Sequence, residues 1–203
     1  MSSESEDLQD LAWLHATARG ERAAFAQLYR RHQPRLMRFL WRFVSRAELA
    51  EEIVNDTMWL VWSRAHAFRG EAKARTWITG IAYRVMLRAL RDGPPATEVN
   101  ASSLDDFSFD ALPGPPGSDA TVEARDWLQR GMNGLPHEQR VTLELAYFMG
   151  ESCEDIAAIM ECPVGTVKAR LFHARVRLRN TLPALGGDAG AAAQPANETQ
   201  KHG

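Results

Sequence analysis

Apolar residues recur every three or four positions along most of the chain, and this spacing predicts α-helices rather than strands. In the first part, helices are expected over 7–18, 21–44, 47–67 and 73–91, and Gly20, Ser45–Arg46 and Arg69–Gly70 mark their ends. In the second part, helices are expected over 121–132, 137–148, 153–160 and 164–181. The fold class is therefore predicted to be all-α.

Residues 92–120 differ in composition, since they contain five of the ten prolines, and residues 92–123 carry seven acids but no Lys or Arg. We interpret 92–120 as a flexible acidic linker. It joins an N-terminal helical domain (1–91) to a C-terminal one (121–182), and the Ala- and Gly-rich tail 183–203 is expected to be disordered. The linker contains a few apolar residues, Leu104, Phe107, Phe109 and Leu112. These residues either anchor the linker to a partner or make only transient, non-specific contacts.

The second domain is predicted to end in a helix-turn-helix. Ser152 is a good N-cap for a short apolar helix, and Glu161–Cys162–Pro163 follow as the turn. In the next helix Val167, Leu171, Ala174 and Leu178 form one apolar stripe, whereas Ala169, Phe172, His173 and Val176 lie opposite, between two rows of cations. Such a face fits the major groove of DNA, because each row of cations can reach one phosphate wall. The alternative is a basic helix that is merely solvated.

Two further helical faces suggest binding surfaces. The first is here called the Trp–carboxylate face and consists of Glu48, Glu52, Asn55, Asp56, Trp59 and Trp62. Tryptophans among carboxylates predict an interface that selects a basic partner. The alternative is that one or both tryptophans pack within their own domain. The second is here called the basic strip and consists of Lys73, Trp77, Gly80, Arg84, Arg88 and Arg91. Its cations can bind phosphates and its aromatic ring can stack on unpaired bases, which predicts binding of a single strand. The alternative is a solvated arginine face without a partner. The loop 68–71 just before the strip could hold a flipped base.

Composition excludes several other classes of protein. The net charge is −2, so the total charge does not indicate nucleic-acid binding. Acidic and basic residues are nevertheless clustered in separate segments of the sequence, which indicates separate acidic and basic surfaces. Cys153 and Cys162 make neither a disulfide framework nor a zinc site, and the scattered histidines do not pair with them at metal-ligand spacing. We therefore expect no metal and no cofactor. An acidic N-terminus and short apolar runs indicate no signal peptide and no membrane insertion, which leaves the cytoplasm as the expected location.

Four stretches, in this order, resemble RNA polymerase sigma factors of the extracytoplasmic-function (ECF) type. Residues 25–31 resemble the first conserved helix of that family, and 50–59 resemble its helix that binds core polymerase. Residues 68–71 with 75–78 and 81–84 resemble its −10 reading and melting region. The fourth stretch resembles the −35 reading domain of the family and includes Leu135–Pro136, Arg140, Gly150, Asp155–Ile156–Ala157, residues 165–171 and Ala174–Arg175.

The resemblance implies a dissociable subunit without a catalytic centre, which binds core polymerase and promoter DNA and is held inactive by an anti-sigma protein. Core polymerase would contact the Trp–carboxylate face. Contacts to single-stranded −10 DNA are implied for residues of the resembling stretches, namely Phe68, Arg69, Gly70, Glu71, Arg75 and Trp77. Helical spacing adds the cations of the basic strip to this set: Lys73, Arg84 and Arg88. Contacts to double-stranded −35 DNA would come from Thr166, Lys168, Ala169, Arg170, Phe172, His173, Arg175 and Arg177.

At two positions the sequence departs from the family pattern. Asn55 stands where Gln is usual and is one methylene shorter, so its bond to polymerase is lost or re-aimed. Ala169 stands where Ser is common, so a hydroxyl contact to the −35 element is missing.

Two other functions are compatible with parts of the chain. An ordinary helix-turn-helix regulator would account for 121–182 but would leave the Trp–carboxylate face and the basic strip without a role. A sigma mimic that titrates an anti-sigma protein could lose the cations of its recognition helix, whereas this chain keeps them.

Overall fold

The computed structural model describes residues 3–92 and 127–190, with side chains over 4–92 and 127–182. The first stretch contains α1 (Ser3–Ala18), α2 (Arg22–Leu40), α3 (Ala47–Arg64), a 3-10 turn (Ala65–Ala67) and α4 (Ala74–Asp92). The second contains α5 (127–133), α6 (His137–Leu143), a π-helical turn (Glu144–Phe148), α7 (Cys153–Met160) and α8 (Val164–Gly190). The all-α prediction is confirmed, with one helical domain in each stretch.

The first domain packs α1 to α4 around a core of long aliphatic side chains. The fully buried members include Leu14, Leu28, Leu36, Leu40, Ile53, Met58, Ile78 and Met86. A buried carboxylate, Asp10 of α1, joins α1 to α2, because it lies 2.8 Å from the Arg31 guanidinium and 3.0 Å from the His32 imidazole. A buried charge is tolerated when it is paired in this way.

The second domain is built on the apolar sides of α6, the π-helical turn, α7 and α8. Their buried members include Val141, Leu145, Ile156, Ile159, Val167, Leu171 and Ala174. Ser152 caps α7, since its hydroxyl oxygen accepts a hydrogen bond of 3.0 Å from the Asp155 backbone N–H. Glu161 ends α7 in the left-handed conformation (φ 51°), and α8 begins at Val164. Helix α7 therefore covers the predicted range 153–160, and α8 begins at the predicted residue 164.

The last helix is longer than predicted, because α8 continues to Gly190. Contacts with α5 support this extension: Trp127 Nε1 donates a 2.7 Å hydrogen bond to the carbonyl oxygen of Leu182. At Gly131 the two helices come so close that an added Cβ would lie 2.7 Å from Leu182 Cδ2. Residues 183–190, which lie in the predicted tail, have helical backbone as the continuation of α8.

Other predictions fall on residues that the structure does not describe. These are most of the linker 92–120, the start of the helix predicted at 121 and the tail from 191. Within the described ranges, no helix combines the length and the apolar character that crossing a bilayer requires.

Candidate functional site

The Trp–carboxylate face lies on the outer side of α3. Glu48, Glu52 and Asp56 are exposed, and Trp59 has 66% of its surface exposed although it is a large aromatic residue. Ile53, Thr57 and Val61 on the opposite side of the helix are buried. Burial of one side of α3 in the core is what turns the carboxylates and Trp59 toward solvent.

The two tryptophans of this face have different environments. Trp62 is half-buried and packs edge-to-face on Phe25 of α2, with ring centroids 5.2 Å apart. Packing within its own domain therefore accounts for Trp62, whereas Trp59 remains available to a partner.

A groove between α3 and α4 runs beside Trp59. Its floor is apolar, its α3 side carries two carboxylates, and its α4 side carries an arginine and a third carboxylate. The lining residues are Leu49, Glu52, Ile53, Asp56, Trp59, Leu60, Val85, Arg88, Ala89 and Asp92. An apolar floor with a charged rim is the usual composition of a protein-binding surface. The groove therefore fits a partner that presents an apolar side chain flanked by charges.

Asn55 is held by its own domain. Its side-chain oxygen accepts a 3.0 Å hydrogen bond from the Tyr29 hydroxyl of α2, while the residue stays exposed. The shorter side chain is thus directed toward α2.

The basic strip extends along α4 from the loop at 68–71. Phe68 and Trp77 form an edge-to-face pair with centroids 5.4 Å apart, and both are half-buried. Arg69, Gly70 and Glu71 are exposed, and Gly70 has φ +74°, which favours glycine. The structure therefore places an aromatic pair beside an exposed loop.

The cations of this region are not equally available. Arg88 and Arg91 are exposed and lie near Asp92. Lys73 and Arg84 are each less than half exposed and contact acids of the second domain. Arg75 lies off the strip, and its Nε is 3.4 Å from Asp7 Oδ1 and 3.7 Å from Glu151 Oε2.

The outer surface of α8 carries most of the residues predicted to read DNA. Val167, Leu171 and Ala174 are buried, so the opposite side faces outward with Lys168, Ala169, Phe172, His173 and Arg177 exposed. Phe172 is 62% exposed and packs against His173 edge-to-face. An exposed aromatic residue between cations is a surface that duplex DNA can cover.

Two of the predicted cations have partners within their own domain. Arg170 forms an ion pair with Glu138 of α6 and lies 3.4 Å from Cys162 Sγ, so it is largely buried. Arg175 lies over the Tyr147 ring, 5.6 Å from its centroid, and stays exposed. Thr166 is partly buried at the start of α8. Arg170 thus stabilises the packing of α8 on α6, a contact that helical periodicity does not show.

The cysteines are free and half-buried, in agreement with a packing role. Within residues 4–92 and 127–182, no group of three or more His, Cys, Asp or Glu side chains is placed to hold a metal ion.

The sequence-based predictions missed the contact between the two domains. Residues of α7 and of the π-helical turn lie against α2 and α4. The signal that could have indicated it is charge complementarity, since the second domain carries acids at 151, 155 and 161 whereas 69–91 is basic.

Comparison with known families agrees with the two-domain architecture. The family described as sigma-70 region 2 matches residues 28–93, which include the Trp–carboxylate face and the basic strip. The family described as sigma-70 region 4 matches residues 125–178, which include α7 and the exposed side of α8.

Similar proteins and structures match nearly the whole chain. It is 30% identical to the RNA polymerase sigma-H factor of Pseudomonas aeruginosa, over 87% of this chain and 95% of that protein. It is 29% identical to the ECF RNA polymerase sigma-E factor of Escherichia coli K12, over 89% and 98%. Among solved structures, CnrH in complex with the cytosolic domain of CnrY has the same fold, with a TM-score of 0.65 at 21% identity over 87% and 98%. RpoE of Bartonella quintana, in complex with the anti-sigma factor NepR, gives a TM-score of 0.58 at 26% identity over 78% and 96%. The chain belongs to the sigma-70 family of RNA polymerase sigma factors, in its extracytoplasmic-function group.

Proposed function

We propose that this chain is an alternative sigma factor that binds core RNA polymerase and directs it to promoters whose −35 duplex and −10 strand it recognises itself. As a sigma factor it is an initiation factor and not an enzyme. The observation that carries the proposal is the presence of both sigma-70 regions in one chain. A large aromatic residue is exposed in each region, Trp59 in the first and Phe172 in the second. We place its action in the cytoplasm, where the transcription machinery works.

Each surface is assigned one partner. The groove beside Trp59 binds core polymerase, because its carboxylates and exposed indole fit a basic protein surface. The basic strip and the loop 68–71 hold the melted −10 strand, since cations bind phosphates and rings stack on bases. The exposed side of α8 reads the −35 duplex in the major groove.

An anti-sigma partner is part of the proposal. It is supported by the Bartonella quintana complex, in which a sigma factor similar to this chain is bound to an anti-sigma factor.

Transcription with purified core enzyme tests the function as a whole. Core enzyme with and without the chain would transcribe genomic DNA of the source organism, and sequencing of the RNA 5′ ends would locate the start sites. We expect start sites that need the chain and share upstream sequence elements. An ordinary regulator would not bind core enzyme, and a mimic would bind its anti-sigma partner without creating start sites; either result would reject the proposal.

The recognition helix should separate affinity from sequence preference. Lys168→Ala and Arg175→Ala should weaken holoenzyme binding to every −35 variant, and each lost phosphate contact should lower the slope of log affinity against log salt by about 1. Phe172→Ala and His173→Ala should instead change the ranking of −35 sequences. Fluorescence anisotropy with a panel of duplexes at several salt concentrations measures both effects. Arg22→Ala, an exposed arginine of the first domain, is the matched control. An equal loss on every duplex for all four variants would contradict this division.

A further inference from the structure

An exposed tyrosine lies at the edge of the DNA-reading side of α8. Tyr147 keeps 59% of its surface exposed, although its ring is large and mostly apolar. The Arg175 guanidinium lies over that ring, 5.6 Å from the centroid, which is within the range of a cation–π contact. Both residues belong to the second domain, so this contact does not depend on the first domain.

The π-helical turn is what presents Tyr147 to solvent. The backbone N–H of Met149 donates a 3.0 Å hydrogen bond to the carbonyl oxygen of Glu144, five residues earlier. Such a turn holds one residue more than a turn of α-helix, and turns of this kind are rare and frequent at functional sites. Tyr147 and Phe148 are therefore both exposed, while Met149 returns to the core.

Arg175 belongs to the row of cations on one flank of Phe172. By helical projection, Lys168, Arg175 and Arg179 share this flank, and all three are exposed. Arg175 is the member nearest to the buried stripe, because it follows the buried Leu171 by one helical turn. It is thus the cation of the row that lies closest to the body of the domain, where Tyr147 meets it.

The contact orders the guanidinium without neutralising it. An exposed arginine has many rotamers, and fixing one of them on a DNA phosphate costs entropy. A ring attracts a guanidinium through its π face but carries no formal charge, so the positive charge remains available to a phosphate. Arg170 shows the contrast, since its guanidinium is paired with the Glu138 carboxylate.

We propose that Tyr147 is a positioning residue of the −35 contact, whose ring holds the Arg175 guanidinium where a phosphate of the promoter duplex can bind it. The inference rests on the proposed function, because it takes the exposed side of α8 as the surface that reads the −35 element. In a helix-turn-helix the helix before the recognition helix crosses the DNA backbone. Tyr147 shortly precedes that helix, α7, and so lies on the side from which phosphates approach.

A double-mutant cycle in the holoenzyme tests whether Tyr147 acts through Arg175. Tyr147→Ala, Arg175→Ala and the double variant are titrated by fluorescence anisotropy with a duplex that contains the upstream element shared by the mapped start sites. We expect Tyr147→Ala to weaken binding roughly two- to fivefold, as for loss of an exposed cation–π contact. Arg175→Ala should weaken binding more, and Tyr147→Ala should have almost no further effect once Arg175 is absent.

Other substitutions separate the ring from its bulk. Tyr147→Phe keeps the π face and should bind as the wild type, whereas Tyr147→Leu keeps only apolar bulk and should lose as much affinity as Tyr147→Ala. Tyr147→Ala with Lys168→Ala is the control pair. Lys168 belongs to the same row, but among the described residues Arg175 is the cation that lies over this ring, so the two losses should simply add. Circular dichroism verifies the helicity of every variant.

An equal loss from Tyr147→Ala with and without Arg175 would overturn the positioning role, since a direct contact to DNA or a structural effect would persist in the Arg175→Ala background. Weak binding by Tyr147→Phe, or wild-type binding by Tyr147→Leu, would overturn it as well. Failure of the proposed function gives a different result. Start-site mapping with wild-type protein would then reveal no start sites that need the chain, before any variant is measured, and both proposals would be rejected.

Discussion

Asp56→Arg should weaken binding to core RNA polymerase by about 30-fold or more, which corresponds to the roughly 2 kcal/mol expected of an interface hot spot. Asp56 is exposed and lines the groove beside Trp59, so the new cation would repel a basic partner without disturbing the core of the first domain. Glu52→Arg combined with Trp59→Ala should have at least the same effect, because it removes the exposed indole as well. Co-purification with core enzyme and anisotropy titration measure the loss, and circular dichroism verifies helicity.

Glu51→Arg is the matched control for this prediction. Glu51 is exposed on the same helix but does not line the groove, so the same change of charge should cost much less affinity there. Equal losses at Glu51 and Asp56 would indicate general electrostatic attraction instead of a specific site. Normal binding by both groove variants would place the polymerase contact elsewhere.

Helix positions could be predicted because they depend on neighbouring residues. Ser152 caps α7 with a bond to a backbone only three residues away, and the stripe at Val167, Leu171 and Ala174 repeats at helical spacing. Such signals are contained in a short window of sequence. For this reason α7 begins and ends where the sequence placed it.

Roles that depend on long-range packing could not be predicted in the same way. Trp59 and Trp62 share one helical face, and only the position of Phe25, far away in the sequence, separates an exposed tryptophan from a packed one. Arg170 belongs to a row of cations in projection, yet Glu138 of α6 pairs with it. The hydrogen bond from Lys73 to Asp155 joins residues 82 positions apart. Helical periodicity contains no information about such pairs.

Arg84→Ala with Arg88→Ala should strongly reduce promoter opening by the holoenzyme. A hydrogen bond to a charged group contributes about 1.5–3 kcal/mol, so the loss of two phosphate contacts should lower the population of open complexes at least tenfold. Permanganate reactivity of −10 thymines on a linear promoter measures opening. A pre-melted template should rescue the opening step but leave a loss of strand affinity.

The choice of variants follows from the structure. Arg88 also lines the groove beside Trp59, so holoenzyme formation is measured first, and Arg84→Ala alone is included because Arg84 lies outside that groove. Trp77→Ala is avoided, since Trp77 packs on Phe68 and its loss would disturb the domain. Arg22→Ala with Arg30→Ala, two exposed arginines of α2, controls for the loss of positive charge.

Arg84 also forms an ion pair with Glu161 of the second domain, whose Oε1 lies 2.7 Å from Arg84 NH1. Glu161→Lys removes this pair and keeps the arginine, so it separates the loss of the pair from the loss of the strand contact. We expect lower permanganate reactivity than wild type for Arg84→Ala and no such loss for Glu161→Lys. Wild-type reactivity of the double variant Arg84→Ala, Arg88→Ala on the linear promoter would show that this face does not hold the open strand.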